Sequence, residues 1–140
     1  MSRIFWDTNL FIYLFEDYGE LSQRVAEIRT RMLSRGDELL TSALTLGELL
    51  VKPLEVGDTA LASRYEDAVV RSAMVLAFTR DTSRRYAEIR RDRSVRAPDA
   101  VQLACAAAAG VDLFLTNDDR LTNKTVPGVQ FVQSISRAFL

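Results

Sequence analysis

The sequence contains no histidine, and this absence narrows the chemistry more than any residue that is present. Ser-His-Asp and Cys-His nucleophile sites are excluded, so acid–base work near neutral pH must fall to carboxylates, to tyrosines or to a metal-activated water. Cysteine is nearly absent as well. Cys105 stands alone, which excludes an intrachain disulfide and fits a reducing compartment, so the cytoplasm is the expected location. Lysine is confined to Lys52 and Lys124. Neither sign of charge dominates: a formal net charge of -1 predicts neither nucleic acid nor membrane as a partner, and only the local distribution can decide. No apolar run is long enough to span a bilayer, and no membrane association is expected. The apolar stretch near the start is interrupted by Asp7 and Asn9 and lacks a small-residue cleavage site, so it reads as structure rather than as a signal peptide.

A length of 140 residues, 48% hydrophobic and 26% charged, is that of one globular domain with a real core, spanning residues 1–140. Its organisation centres on residues 97–119, APDAVQLACAAAAGVDLFLTNDD. Pro98 suits the first turn of a helix, and Asp99 follows it where negative charge meets the positive end of the helix dipole. Val101, Leu103, Ala104, Ala107 and Ala108 give that helix an apolar, small-residue side, and Gly110 stops it. Leu113 to Thr116 reads as a strand whose tip presents Thr116, Asn117, Asp118 and Asp119.

The earlier chain repeats this plan. Arg3 to Trp6 reads as a strand running into the turn Asp7-Thr8-Asn9 and then a helical run from Leu10 to Phe15. Leu21, Val25, Ile28 and Met32 share one helix face, closed by Gly36. Glu38 to Thr41 is a strand candidate, and the segment from Thr41 to Leu50, in which Glu48 is the only charge, leads into a helix that Pro53 should terminate. Gly57-Asp58-Thr59 opens an amphipathic helix with Leu61, Tyr65, Ala68 and Val69 on its core side. Met74 to Phe78 and Gln130 to Val132 are the remaining strand candidates. Strands alternating with helices predict an α/β fold with a mostly parallel sheet covered on both faces.

Four acids stand at element ends or alone on an apolar helix: Asp7, Glu48, Asp99 and Asp118. Singly, each has a plain structural explanation as a cap, a turn residue or a solvated charge. Together they converge, because strand-tip acids and a helix N-terminal acid all fall on the ligand side of such a sheet. Clustered carboxylates repel and their pKa values should rise, and the usual compensation is a hard divalent cation such as Mg2+ or Mn2+ held by oxygen ligands.

Asp7-Thr8-Asn9 after the first strand, the segment from Ser42 to Leu50 with its Glu48, Pro98-Asp99-Ala100 opening a helix, and Thr116-Asn117-Asp118 after a strand resemble, in order, the motif set of PIN-domain ribonucleases. Over nearly the whole chain the sequence is similar to the toxin half of VapBC-type toxin–antitoxin modules. The resemblance implies a three-layer α/β/α sandwich with a five-stranded, mostly parallel sheet, a single PIN-like domain, and metal-dependent cleavage of RNA as an endoribonuclease. It implies that Asp7, Glu48, Asp99 and Asp118 are both the catalytic quartet and the ligands of Mg2+, with Mn2+ as a substitute. It also implies that Thr116 orients them, that Asp119 is either a supporting acid or a surface residue, and that a small cognate antitoxin is a partner. Arg120-Leu121 departs from an aromatic often found at that place in the family.

Arg80 to Arg96 carries seven arginines against three acids. A solvated helix face explains them as well as phosphate contact does, although arginine forks suit phosphates and would offset an acidic site that repels RNA. Apolar residues between 10 and 33 that escape the core would give a surface for the antitoxin or for a homodimer, core being the fate of most. A receiver-like phosphoacceptor would also gather acids at strand tips but needs a lysine after a late strand, and neither Lys52 nor Lys124 is well placed. A non-toxin PIN-like nuclease and an inactive RNA- or protein-binding module remain as alternatives.

Overall fold

The computed structural model describes residues 1–138. Elements follow in the order β1 (Arg3–Trp6), α1 (Thr8–Phe15), α2 (Glu20–Arg35), β2 (Glu38–Ser42), α3 (Ala43–Glu55), α4 (Thr59–Ser72), β3 (Met74–Leu76), α5 (Arg80–Ile89), α6 (Ala97–Ala109), β4 (Leu113–Thr116), a 3-10 turn (Asp119–Leu121) and β5 (Phe131–Ser134). The strands form one five-stranded sheet in the order β3-β2-β1-β4-β5. Every neighbouring pair is parallel, with Phe5 level with Leu40 and Phe114, and Trp6 level with Leu115.

Alternation along β1 divides the core. Ile4 and Trp6 face one layer, where they meet Leu10, Phe11, Val25, Ile28, Met32, Leu49 and Val69 from α1 to α4. Phe5 faces the other layer, where it joins Leu103, Ala106 and Phe114 under α6. The Phe5 and Phe114 rings stack at 5.1 Å with their planes 8° apart. The small side chains of α6 let that helix approach closely, and the segment leading to β5 approaches it in turn: a Cβ on Gly128, whose φ is +96°, would stand 2.7 Å from the Ala107 carbonyl oxygen. The result is the expected α/β/α sandwich. Among the described residues no helix is long and apolar enough to cross a membrane.

Some expected boundaries move. Pro53 does not end α3, which runs on to Glu55: the proline falls in the last turn, where its missing N–H forfeits only one intrahelical bond, and its ring is buried. Strand β3 stops at Leu76 because it lies at the sheet edge and pairs with β2 only as far as Ser42. Strand β5 is Phe131–Ser134 rather than residues 130–132, its length set by pairing with all of β4. On α6, Ala108 faces outward, whereas Gln102 is buried in the layer assigned to apolar residues. Among the apolar residues between 10 and 33, Tyr18 and Leu33 are the large ones left exposed.

Candidate active site

Strand order reverses direction between β1 and β4, and the carboxyl ends of these two neighbours open a crevice of the kind in which α/β sheets bind ligands. Trp6 is the last residue of β1, and Asp7 is the N-cap of α1, with its Oδ1 accepting the Thr8 N–H at 2.9 Å. The Thr116 hydroxyl, at the end of β4, donates to Asp7 Oδ2 at 2.9 Å. Its oxygen also receives the Asp118 N–H at 3.0 Å, so Thr116 stands between the two strand-tip acids. Asp7 is only 7% exposed. Burial pushes its carboxyl up to about 6; hydrogen bonds from Thr116 and Thr8 oppose the rise, and the charges of Asp99 and Glu48 add to it.

Asp99 lies in the first turn of α6, behind Pro98, as the sequence predicts. Burial again raises its pKa, Arg96 opposes the shift, and the nearby Asp118 adds to it. Asp118 behaves in the opposite way. The Arg120 guanidinium grips its carboxylate, with Nη2 2.6 Å from Oδ2 and Nε 2.9 Å from Oδ1, and holds its pKa below the ordinary value. The expectation that crowding raises every acid of the set therefore fails at Asp118, where the bound Arg120 side chain outweighs the effect of burial. Glu48 sits on the exposed side of α3 but turns inward, accepting the Thr8 hydroxyl at 2.5 Å.

These four acids line a single cavity of about 360 Å³, together with Thr8, Asn9, Ile12, Arg96, Pro98 and Gln102. A larger cavity of about 450 Å³, between α5 and residues 123–127, contains none of them and carries an apolar floor, so size alone does not mark the chemistry. Asp119 is exposed and does not line the acidic cavity. The donor chemistry of the cavity is carboxylate and hydroxyl oxygen, which suits a hard divalent cation. As the side chains stand, no three acids among the described residues are gathered closely enough to hold a metal ion. Asp118 is engaged by Arg120, and Glu48 by Thr8.

Sequence reasoning missed the polar floor beneath the acids. Gln102 Nε2 donates to Thr45 Oγ1 at 2.8 Å and to Thr8 Oγ1 at 3.1 Å, lies 3.4 Å from Asp7 Oδ1, and its Oε1 accepts the Ser42 hydroxyl. One signal was available: Gln102 is three residues beyond Asp99, hence on the same helix face, and it is the lone polar side chain in an otherwise apolar run. Arg96, one residue before α6, reaches both Asp99 at 3.6 Å and Asp118 at 3.8 Å, which ties the end of the arginine-rich segment to the site.

No curated protein matches the chain. Solved structures do. The chain is similar to VapBC2 from Rickettsia felis, solved bound to a DNA fragment from their promoter, with a TM-score of 0.74 at 14% identity over 94% of this chain and 98% of that one. It is similar to DNA-bound VapBC from Salmonella typhimurium, with a TM-score of 0.73 at 19% identity over 96% and 99% of the two chains. VapBC-1 from nontypeable Haemophilus influenzae gives a TM-score of 0.70 at 19% identity over the same shares, 96% and 99%. At these identities the likeness establishes the fold. The sequence itself carries the signature of the PIN domain across residues 4–126, nearly the whole chain, with Asp7, Glu48, Asp99 and Asp118 all inside the match, and the protein therefore belongs to the PIN domain family.

Proposed function

We propose that this chain is a metal-dependent endoribonuclease that hydrolyses RNA phosphodiester bonds, and that it is the toxin of a toxin–antitoxin pair. The observation that carries the hydrolytic reading is the meeting of Asp7, Glu48, Asp99 and Asp118 in one crevice at the β1/β4 reversal, with Asp7 buried beneath it. Residues 1–140 act as a single PIN-like domain in this reading.

Asp7, Asp99 and Asp118 would hold Mg2+ or Mn2+, with Glu48 at the rim. The chemistry such an ion would supply there is a water made nucleophilic at neutral pH and neutralised charge on the phosphate and the leaving oxygen. The chain's own residues prepare the place. Thr116 and the Thr8 N–H fix both oxygens of Asp7, and Gln102 locks the Thr8 and Thr45 hydroxyls beneath it, so that Asp7 has no freedom to turn away. Glu48, linked to the same network through Thr8, is the most exposed of the four acids. Arg96 lowers the cost of gathering the acids by pairing with Asp99 and Asp118 at once.

The likeness to VapBC structures supports a small antitoxin as partner. A second copy of the chain as the other protein contact and the cytoplasm as the location complete the reading. Exposed Val51, Leu54 and Val56 near the end of α3 offer apolar surface for such contacts, which Tyr18 and Leu33 extend elsewhere. Incubation of the purified chain with single-stranded RNA in Mg2+ tests the reading: internal cleavage that stops in excess chelator is expected, and cleavage that persists in chelator refutes metal dependence.

A further inference from the structure

Arg120 makes the shortest charged contact at the cavity, yet the proposed reaction gives it no part. Asp118 opens the 3-10 turn Asp119–Leu121, and its Oδ1 accepts the Arg120 backbone N–H at 3.0 Å. That bond alone caps the turn. The side chain then adds a fork, Nε to Oδ1 at 2.9 Å and Nη2 to Oδ2 at 2.6 Å, which commits both oxygens of the carboxylate to one guanidinium. Arg96 is a more distant second cation, 3.8 Å from Oδ2. The Asp118 side chain is 18% exposed, whereas that of Arg120 is 64% exposed and can leave toward solvent without disturbing the core.

A carboxylate whose oxygens already accept a bidentate fork cannot offer them in full to a divalent ion. We infer that Arg120 is an internal counter-ion of the site: it occupies Asp118 when no cation is bound, competes with the cation for the same oxygens, and swings away as the cation enters. This rests on the metal-dependent reading above and adds that Arg120 sets the Mg2+ concentration at which the site fills. The competing explanation is an exposed ion pair that contributes nothing to binding, which is a common outcome for surface pairs.

The test is a Mg2+ titration of the full chain, followed by calorimetry and by the metal-dependent rise in melting temperature, for wild type, Arg120→Ala, Arg120→Lys and Asp118→Asn. Arg120→Ala should bind Mg2+ about two- to fivefold more tightly, the range open to an exposed pair. Arg120→Lys, which keeps the charge but cannot span both oxygens, should fall between Arg120→Ala and wild type. Asp118→Asn should bind more weakly than any of them. The advantage of Arg120→Ala should also shrink as added NaCl screens the pair. If Asp118→Asn weakens binding but Arg120→Ala leaves it equal or weaker, the counter-ion role is overturned and the metal reading stands. If Asp118→Asn leaves affinity unchanged, Asp118 is not a ligand and the counter-ion role falls; if wild type binds no Mg2+, the metal reading falls with it.

Discussion

Replacing Asp7 by asparagine should stabilise the metal-free protein at neutral pH and destabilise it in mild acid. The Asp7 carboxyl rises from 3.8 to about 6 on folding, chiefly because it is buried. With each pKa unit equivalent to about 1.36 kcal/mol, holding Asp7 ionised in the folded state costs about 3 kcal/mol once the pH is well above 6. The sign follows from proton binding. Between 3.8 and about 6 the native state holds more protons than the unfolded chain, so stability is greatest at low pH and falls as pH rises through that window. Asparagine has no charge to desolvate, but one of its two polar atoms is a donor facing Thr116 or the Thr8 N–H, and mismatching a buried hydrogen bond costs about 1 kcal/mol. The balance is a gain of about 2 kcal/mol at pH 7.5 and a loss of about 1 kcal/mol near pH 4. Urea unfolding in excess chelator at the two pH values measures it. If Asp7→Asn destabilises equally at both, Asp7 is not an ionised buried acid and the electrostatic picture of the crevice is wrong.

Asp118→Asn should do the reverse at neutral pH, lowering metal-free stability, because Arg120 holds the Asp118 pKa down and the pair it breaks is stabilising; a rise in its melting temperature would contradict this. Gln102→Leu should cost roughly 1–3 kcal/mol in urea unfolding, since it strands the buried Ser42 hydroxyl and removes one bond to Thr45, which keeps Thr41 and Thr8 as partners, and a neutral outcome would mean that Ser42 finds another partner. Neutralising Arg84, Arg85, Arg90 and Arg91 should weaken RNA binding and flatten its salt dependence by about 0.7 in slope for each phosphate that is no longer neutralised, whereas an unchanged slope returns them to a solvated face. Gly128→Ala should lower the melting temperature, because its Cβ meets the Ala107 backbone at 2.7 Å and its φ of +96° strains an L side chain; an unaffected melt would show that the segment before β5 can shift.

Much of this architecture could be read from period and punctuation. Pro98 and Gly110 bracket α6, Gly36 ends α2 in the left-handed conformation, and the runs from Arg3 and Leu113 become the two central strands. Strand order, by contrast, depends on pairing between residues far apart in sequence, and no local pattern states that β4 lies beside β1. The site was legible as four acids because each stands at an element end or alone in an apolar run. Its supporting polar residues were not. Thr8, Thr45 and Gln102 are ordinary residue types whose importance comes from three elements meeting beneath Asp7. The side-chain grip of Arg120 on Asp118 was also invisible, since a residue two positions away has no fixed orientation until the turn between them forms.

Cleavage of one single-stranded RNA in Mg2+ by wild type, Asp7→Asn and Asp119→Asn, each verified as folded, tests most directly whether the crevice is the hydrolytic site. Asp119 carries the same charge and directly follows Asp118 in the chain but is exposed and outside the cavity, so it controls for net charge. Loss of at least about a hundredfold in rate for Asp7→Asn, with Asp119→Asn close to wild type, is expected for a site that depends on a metal-holding carboxylate. Equal activity of Asp7→Asn and wild type, or equal losses in both variants, would contradict the assignment.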